Sequence, residues 1–211
     1  VTVITKETAE ESDSFLAQGG ICVLKSEDDY DSYYEDTMRA GHYENRAESV
    51  DIMLRSSRHI IDELIGFGVD FEKDGDELLF TREGGHSDYR ILFHEDITGE
   101  EITSKLLARA RERENISIYE HTTMLDLITE DNVCHGLVIR TEDGTVQTLT
   151  SDYTVLACGG LGGLYKHSTN FRHITGDALA LALRHNIRLE NIDYIQIHPT
   201  TLYSKEPGRR F

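Results

Sequence analysis

A glycine-rich turn follows an apolar run in the C-terminal half of the chain. Residues 153–158 form a continuous, largely apolar segment, which predicts a strand buried on both faces. Residues 159–163, Gly-Gly-Leu-Gly-Gly, follow it directly. Such turns bring phosphates and cofactors close to the backbone, but a tight turn packed on the sheet fits the spacing equally well. The G-x-G-x-x-G fingerprint of dinucleotide-binding proteins is absent from the sequence.

A second candidate segment, Thr175-Gly176-Asp177, stands before a predicted helix. A carboxylate at that place stabilises the positive end of the helix dipole, and this is the interpretation that the residues favour. The alternative is that Asp177 accepts hydrogen bonds from the hydroxyl groups of a cofactor.

A polar loop at residues 82–87, Arg-Glu-Gly-Gly-His-Ser, precedes Arg90. Glu83 and His86 are plausible substrate contacts, because charged residues in glycine-containing loops often carry function. A solvated turn is an equally good interpretation. His198, between Ile197 and Pro199, is more typical of a structural histidine.

The cysteines and histidines do not predict a metal site. Their spacing matches no zinc motif, and three scattered cysteines form no disulfide framework. Unpaired cysteines favour a reducing cytoplasm. The formal charge of −18 excludes a nucleic-acid backbone or an anionic membrane as an expected partner. The sequence contains no apolar run long enough to span a bilayer.

The predicted elements alternate between strands and helices, which indicates an α/β fold with a β-meander. Apolar spacing predicts helices, and a Thr98-x-x-Glu101 pattern predicts a capping box at the start of one of them. The helix beginning near Val50 has an apolar stripe interpreted as core. The predicted strands are 1–5, 116–119, 136–140, 146–150 and 153–158, and the predicted helices are 28–40, 50–65, 98–110 and 177–185.

Five short motifs occur in an order that resembles the fumarate reductase, succinate dehydrogenase and L-aspartate oxidase flavoprotein superfamily. The resemblance runs from Val1 to about Tyr203, and the loop around Glu83 is most similar to the L-aspartate oxidase branch. The motifs are Ala17-Gln18-Gly19-Gly20-Ile21, Thr81–Ser87, Ala157–Gly160, Thr175–Asp177 and Gln196–Thr200.

This resemblance implies a partial FAD-binding, Rossmann-like domain with an inserted β-meander over residues 1–192. It places the start of a capping domain at residues 193–211. The first strand and the glycine-rich fingerprint are expected before Val1, and most of the capping domain after Phe211.

The resemblance also implies which residues bind the cofactor, FAD. Lys6 resembles a residue beside the adenosine, Thr123 and Met124 a backbone contact to the adenine portion, and Asp177 a contact to the FAD chain. The loop that wraps the pyrophosphate and flavin matches Ser14, Phe15, Leu16, Ala17, Gln18, Gly19 and Gly20.

The implied substrate is L-aspartate, oxidised to iminoaspartate for NAD synthesis, with oxygen or fumarate as electron acceptor. Glu83 resembles the residue that recognises the amino group, and His198 one that binds a carboxylate. The proton-transferring arginine is expected beyond Phe211, so no catalytic residue is predicted within the chain.

Asp13 implies that FAD is bound non-covalently. Members that bond FAD covalently have a histidine at this position, two residues before the residue that matches Phe15. Two alternatives remain: a soluble fumarate reductase or succinate dehydrogenase flavoprotein, and an inert chain that binds no flavin. The carboxylate of Glu83 favours an ammonium-bearing substrate over a plain dicarboxylate.

Overall fold

A computed structural model describes residues 1–197 of the 211. The chain divides into two compact units. The first unit contains Val1–Asp13 and the chain from Glu114 onward, and the second contains Ser14–Arg113. The second unit is thus an insertion in the sequence of the first. The boundary predicted between residues 192 and 193 stays a prediction.

The elements of regular structure include nine strands and four α-helices within the described residues. In chain order they are β1 (Thr2–Ile4), β2 (Ile21–Cys22), α1 (Tyr30–Ala40), α2 (Ala47–Gly66), β3 (Lys73–Asp74), β4 (Glu77–Leu78), β5 (Ile91–Leu92), α3 (Thr98–Arg111), β6 (Ser117–Tyr119), β7 (Thr123–Glu130), β8 (Val133–Arg140), β9 (Val146–Thr150) and α4 (Asp177–Arg184).

The first unit combines a parallel strand pair with an antiparallel meander. β1 pairs in parallel with β6, with Val3 opposite Ile118. β7, β8 and β9 form a three-stranded antiparallel sheet in sequence order. The β8–β9 turn contains Gly144 at φ +85°, a left-handed conformation that glycine adopts without strain. The predicted meander is therefore confirmed.

The second unit is built from three helices and two short antiparallel strand pairs, β2–β5 and β3–β4. One apolar cluster joins β2, β5 and the end of α2 through Val23, Ile61, Leu64, Phe71 and Leu92. A second cluster joins α1 to α2. It contains Leu24, Tyr33, Val50 and Leu54, with Tyr30, Tyr34 and Met38 packed against it. The predicted helices 28–40 and 50–65 are thus confirmed, with their apolar stripes facing one another.

The stripe on α2 is only partly core. Val50, Leu54, Ile61 and Leu64 are buried, whereas Met53 and Ile60 are more than 40% exposed. Neither neighbouring helix α1 nor the strands cover that edge of α2, and both side chains line a cavity described below.

The predicted buried strand over residues 153–158 is wrong. This segment forms no strand, and Tyr153 and Val155 are 91% and 86% exposed. A strand is buried on both faces only where neighbouring strands and helices cover it. Within residues 1–197, no strand pairs with this segment.

The predicted capping box at the start of α3 is also wrong. Ile97 occupies the cap position, and no side chain caps the helix. Thr98 is already inside the helix, and its hydroxyl donates to the carbonyl of Gly19 at 2.7 Å. Glu101 accepts a hydrogen bond from the amide of Asp70 at 2.9 Å. Both side chains form hydrogen bonds with distant residues instead of capping the helix.

Candidate functional site

In the second unit, the start of α3 holds the loop of residues 14–20. The Thr98 hydroxyl donates to the Gly19 carbonyl, and the Gly99 amide donates to the Ala17 carbonyl at 2.8 Å. The side chain of Gln18 donates to Asp96 at 2.9 Å. Three consecutive loop residues are therefore fixed by the segment 96–99. The loop residues had a signal in the sequence, but these supporting residues did not.

Close backbone approach explains two of the glycines here. A Cβ on Gly99 would lie 2.2 Å from the carbonyl oxygen of Ser14 and 2.7 Å from that of Ala17. A Cβ on Gly20 would lie 2.4 Å from the carbonyl oxygen of Leu92. Any side chain at either position would push the loop away from its supports.

The geometry of this loop fits an anionic, carbonyl-bearing cofactor. Its carbonyls at Ala17 and Gly19 are used by α3, whereas the amide N–H groups of Gln18 and Gly19 have no acceptor among residues 1–197. Backbone N–H groups held in place are suited to phosphate oxygens or to the carbonyl oxygens of a flavin ring. The adjoining residues Ser14, Phe15 and Leu16 belong to the same loop; the Ser14 carbonyl accepts from Ala17 at 3.3 Å.

Glu83 lies beside this loop in the same unit. A Cβ placed on Gly19 would be 3.4 Å from a carboxylate oxygen of Glu83. Glu83 is exposed, and within the described part of the chain its carboxylate has no hydrogen-bond or ion-pair partner. The neighbouring Arg82 instead faces the ring of Tyr89 at 5.2 Å. An unpaired carboxylate next to a glycine loop can receive a cation such as an ammonium group.

A cavity of about 700 Å³ adjoins both segments. Its wall includes Gly20 and the loop Gly84–His86. The rest comes from β2, from α1 and α2, including Met53 and Ile60, and from the segment between these helices. Two buried polar atoms on this wall, Asn45 Oδ1 and His86 Nδ1, have no hydrogen-bond partner in the described structure. A mostly apolar cavity with a few polar groups is typical of small-molecule sites.

Cys22 contacts the Glu83–Ser87 loop at His86. Its sulfur lies 3.6 Å from His86 Nε2. Burial raises the pKa of the Cys22 thiol, and the nearby Tyr33 and Arg90 only partly oppose that effect. A raised pKa disfavours the reactive thiolate. The contact with His86 is therefore interpreted as structural, and it holds the loop in place.

In the first unit, Lys6 and Asp177 contact each other. The Lys6 ammonium donates to Asp177 and to the Thr175 hydroxyl, each at 2.8 Å, and to the His173 carbonyl at 3.0 Å. These contacts use all three of its N–H donors. Asp177 is not the helix cap, because Gly176 occupies that position at φ +73°. Burial opposes the ionisation of Asp177, but bonds from Lys6 and Thr175 outweigh it and lower the pKa of the carboxyl.

The remaining predicted positions of this unit lie on β7 and in the turn near α4. Thr123 and Met124 begin β7, directly before a β-bulge between Met124 and Asp126. The turn at 159–163 packs tightly: a Cβ on Gly163 would lie 2.6 Å from the carbonyl oxygens of Arg172 and Ile174. The packed-turn interpretation is therefore sufficient for that glycine.

Asp13 binds the protein through both of its carboxylate oxygens. Its carboxylate accepts from the side-chain amide of Asn170 at 2.6 Å and from the backbone amide of Phe171 at 3.1 Å. It fixes the segment before the turn at Thr175, and a carboxylate cannot form the histidine-type bond to a flavin.

The other expectations concern His198, metals and membranes. His198 lies outside the described residues. Among residues 1–197, no group of three or more His, Cys, Asp or Glu side chains could hold a metal ion. No helix described here is both long enough and apolar enough to cross a bilayer.

Comparison with curated proteins finds relatives that are named L-aspartate oxidases. An L-aspartate oxidase of Clostridium perfringens is 42% identical over 98% of this chain and 47% of its own length. One from Clostridium acetobutylicum is 46% identical over 96% of the chain and 47% of its own length. The chain thus spans about half the length of these relatives. The resemblance to L-aspartate oxidases noted in the sequence is confirmed.

Solved structures with a similar fold include a quinol fumarate reductase and a protein named Sdh1. A form of E. coli quinol fumarate reductase matches with a TM-score of 0.83 and 25% identity, over 87% of this chain and 32% of that one. Mycobacterium smegmatis Sdh1 matches with a TM-score of 0.80 and 28% identity, over 87% and 34%.

A protein-family model described as an FAD binding domain matches residues 1–211. The match extends over the whole sequence and agrees with the α/β architecture and the supported glycine loop. The chain therefore belongs to the FAD binding domain family, and its cofactor is FAD.

Proposed function

We propose that this chain forms the cofactor-binding part of an enzyme that oxidises L-aspartate to iminoaspartate. The observation that carries the proposal is its identity of 42–46% to L-aspartate oxidases over nearly its full length. The unpaired carboxylate of Glu83 beside the loop at Gly19 supports it, because an ammonium group needs such a partner.

Each unit contains residues that were predicted to contact FAD. In the second unit, the N–H groups of Gln18 and Gly19 would donate to it. In the first, Asp177 would accept from its hydroxyl groups through lone pairs that Lys6 and Thr175 leave open, and Thr123 and Met124 would contact the adenine portion. Bound FAD supplies the acceptor for the hydride that leaves the α-carbon of aspartate.

Glu83 would orient the substrate through its ammonium group. Its position beside the loop holds the amino end of aspartate near the loop's amides. His198 would bind a substrate carboxylate, and arginines that hold the carboxylates and transfer a proton are expected elsewhere in the protein. Oxygen or fumarate would accept the electrons. The three free cysteines among the described residues support a cytoplasmic location.

The rival function is interconversion of succinate and fumarate, favoured by the similar solved folds. Those substrates lack an amino group, and Glu83 would repel a dicarboxylate. The test measures peroxide release by the complete gene product with L-aspartate or succinate. Glu83→Gln should raise KM for aspartate about tenfold to a hundredfold, the worth of a hydrogen bond to a charged group.

The matched control is Glu77→Gln, which changes an exposed glutamate on β4 of the same unit. It should leave KM within about twofold of the wild-type value, since an isolated surface charge contributes little. Turnover of succinate without turnover of aspartate would overturn the proposal in favour of the rival. An inert chain would be colourless again once unbound FAD is removed from the mixture by gel filtration.

A further inference from the structure

Beneath the loop that carries Glu83 lies a buried charge cluster. Arg90 is fully buried, and its guanidinium donates to Asp29 and to Asp36, each at 2.7 Å. A third bond of 2.7 Å goes to the hydroxyl of Ser32, and the guanidinium carbon lies 5.0 Å from the centre of the Tyr33 ring. The acceptors belong to α1 or to the turn just before it.

Asp36 also binds the loop itself. Its Oδ2 accepts from the backbone amide and from the hydroxyl of Ser87, each at 2.7 Å. The same oxygen accepts from Arg90, while Arg39 covers the other oxygen at 2.6 Å. One carboxylate on α1 thus holds the last residue of the Glu83–Ser87 turn.

The loop is closed on its other side by backbone bonds. Thr81 exchanges two hydrogen bonds with Ile91, at 2.9 and 3.1 Å. Inside that closure, the His86 amide donates to the Glu83 carbonyl at 3.3 Å, and the His86 ring contacts Cys22. Glu83 has no side-chain partner of its own, so the geometry of this turn determines where its carboxylate lies.

Removal of Asp36 would release that geometry. Ser87 would lose the acceptor for its amide and its hydroxyl together, and Arg90 would keep only Asp29 and Ser32. Since Ser87 is four residues from Glu83, a shift of the turn moves the carboxylate that faces Gly19.

We propose that Asp36 is a positioning residue, which sets the selectivity for an amino-bearing dicarboxylate by fixing the Glu83–Ser87 turn through Ser87. The inference rests on the proposed function, in which Glu83 binds the substrate ammonium. It adds to that function a buried residue that acts on Glu83 through the turn it binds.

The experiment is a double-mutant cycle of Asp36→Asn and Glu83→Gln in the complete gene product loaded with FAD. KM for L-aspartate and the inhibition constant of succinate, which lacks the amino group, are measured for all four proteins. Asp36→Asn should raise KM about tenfold and leave the succinate constant within about twofold, since only the amino contact is weakened. The double variant should resemble Glu83→Gln alone, because both changes remove one interaction.

Ser87→Ala keeps the proposal testable if Asp36→Asn does not fold. It breaks the side-chain bond between Ser87 and Asp36 but leaves the Arg90 ion pairs intact. It should raise KM for aspartate in the same direction, by about threefold, with the succinate constant unchanged. Ser104→Ala is its control, since the described bond of this hydroxyl goes to the carbonyl of Glu101 in its own helix, away from the cavity.

Each outcome has a distinct meaning. A wild-type protein that releases no peroxide from aspartate overturns the proposed function. An active wild type in which the effects of Asp36→Asn and Glu83→Gln on KM multiply overturns the positioning role alone. A parallel loss of aspartate and succinate binding in Asp36→Asn and Ser87→Ala also overturns it, because that pattern marks a structural role.

Discussion

The ammonium of Lys6 lies 2.8 Å from a carboxylate oxygen of Asp177, a residue 171 positions further along the chain. The Thr175 hydroxyl donates to the other oxygen of Asp177, also at 2.8 Å. Two residues predicted separately as contacts to FAD are therefore in contact with each other. Lys6 holds the turn before α4, and Asp177 keeps lone pairs on both oxygens for a further donor.

Lys6→Met should weaken FAD binding although the Lys6 ammonium is committed to the protein. The variant keeps an apolar stem of similar length but releases the turn at Thr175. Partly exposed ion pairs contribute up to about 1 kcal/mol, so we expect the dissociation constant of FAD to rise about fivefold. Flavin fluorescence during a titration with the protein measures it.

Lys25→Met provides the matched control for this change. Lys25 also pairs with an aspartate, Asp88, at 2.8 Å, and its side chain is 29% exposed against 32% for Lys6. The Lys25 ammonium also lies 5.9 Å from the centre of the Phe80 ring, and Asp88 and Phe80 both belong to the second unit. Equal FAD affinities of the two variants would show that the Lys6 contact is not coupled to the cofactor.

Gly99→Ala should displace the loop of residues 14–20. Helix propensity alone predicts that alanine stabilises this position by up to about 1 kcal/mol. The added Cβ would instead lie 2.2 Å from the Ser14 carbonyl oxygen, a backbone atom that cannot rotate away. We expect a loss of about 1–3 kcal/mol in the free energy of unfolding and weaker FAD binding. Urea unfolding and a flavin titration measure the two effects.

Gly66→Ala is the control for Gly99→Ala. Gly66 is the last residue of α2, and no atom lies within 4 Å of a Cβ placed on it. The same substitution should be neutral or slightly stabilising there. If both variants bound FAD as tightly as the wild type, the support of the loop by α3 would be irrelevant to the cofactor.

Local patterns were sufficient to predict the elements whose stabilising contacts are close in sequence. The apolar stripe near Val50 predicted helix α2 and its core-facing side, and the strands predicted at 136–140 and 146–150 correspond to β8 and β9. Residues 153–158 were mispredicted because burial depends on distant neighbours, which a local apolar run does not reveal. The Thr98-x-x-Glu101 pattern failed for the same reason, since both side chains have tertiary partners.

The residues of the candidate site could be predicted from the sequence, but the residues that hold them in place could not. Motifs indicated Glu83 and the loop ending at Gly20. Thr98 was assigned to a capping box and not to the support of that loop, and Asp36 was not singled out. Asp36 carried a usable signal: it lies three residues after Tyr33, on the buried face of α1. A charged residue on the apolar face of a helix requires a buried partner, and Arg90 is that partner.

The stability of the chain should fall in acid partly because of Asp36. Burial opposes the ionisation of Asp36, but hydrogen bonds from Ser87 and Arg90 outweigh it and hold the pKa of the carboxyl well below its usual range. In the unfolded chain this group titrates near pH 4, at about 3.9. Its contribution is therefore complete above that pH and is lost as the pH falls toward the lowered pKa.

Asp36→Asn should accordingly cost about 3–5 kcal/mol of unfolding free energy at pH 7, the cost of removing one partner from a buried ion pair. The difference from the wild type should shrink between about pH 4 and pH 2. Urea midpoints across this range measure it. Asp76→Asn, an exposed change in the same unit, should show almost no difference at any pH. A difference for Asp36→Asn that stayed constant with pH would contradict the assigned pKa direction.

FAD should be released intact when the protein is denatured, because the sequence resemblance implies that Asp13 stands where covalent flavoproteins of the superfamily have a histidine. Its carboxylate already accepts from Asn170 and from the Phe171 amide. After acid precipitation, the flavin should be found in the supernatant, and a denaturing gel should show no fluorescent protein band. Asp13→Ala should not change that result, but it should cost about 1–3 kcal/mol by leaving the Phe171 amide without its acceptor. A fluorescent band in the wild type would mean that another side chain bonds the flavin, and its loss in Asp13→Ala would assign the bond to Asp13.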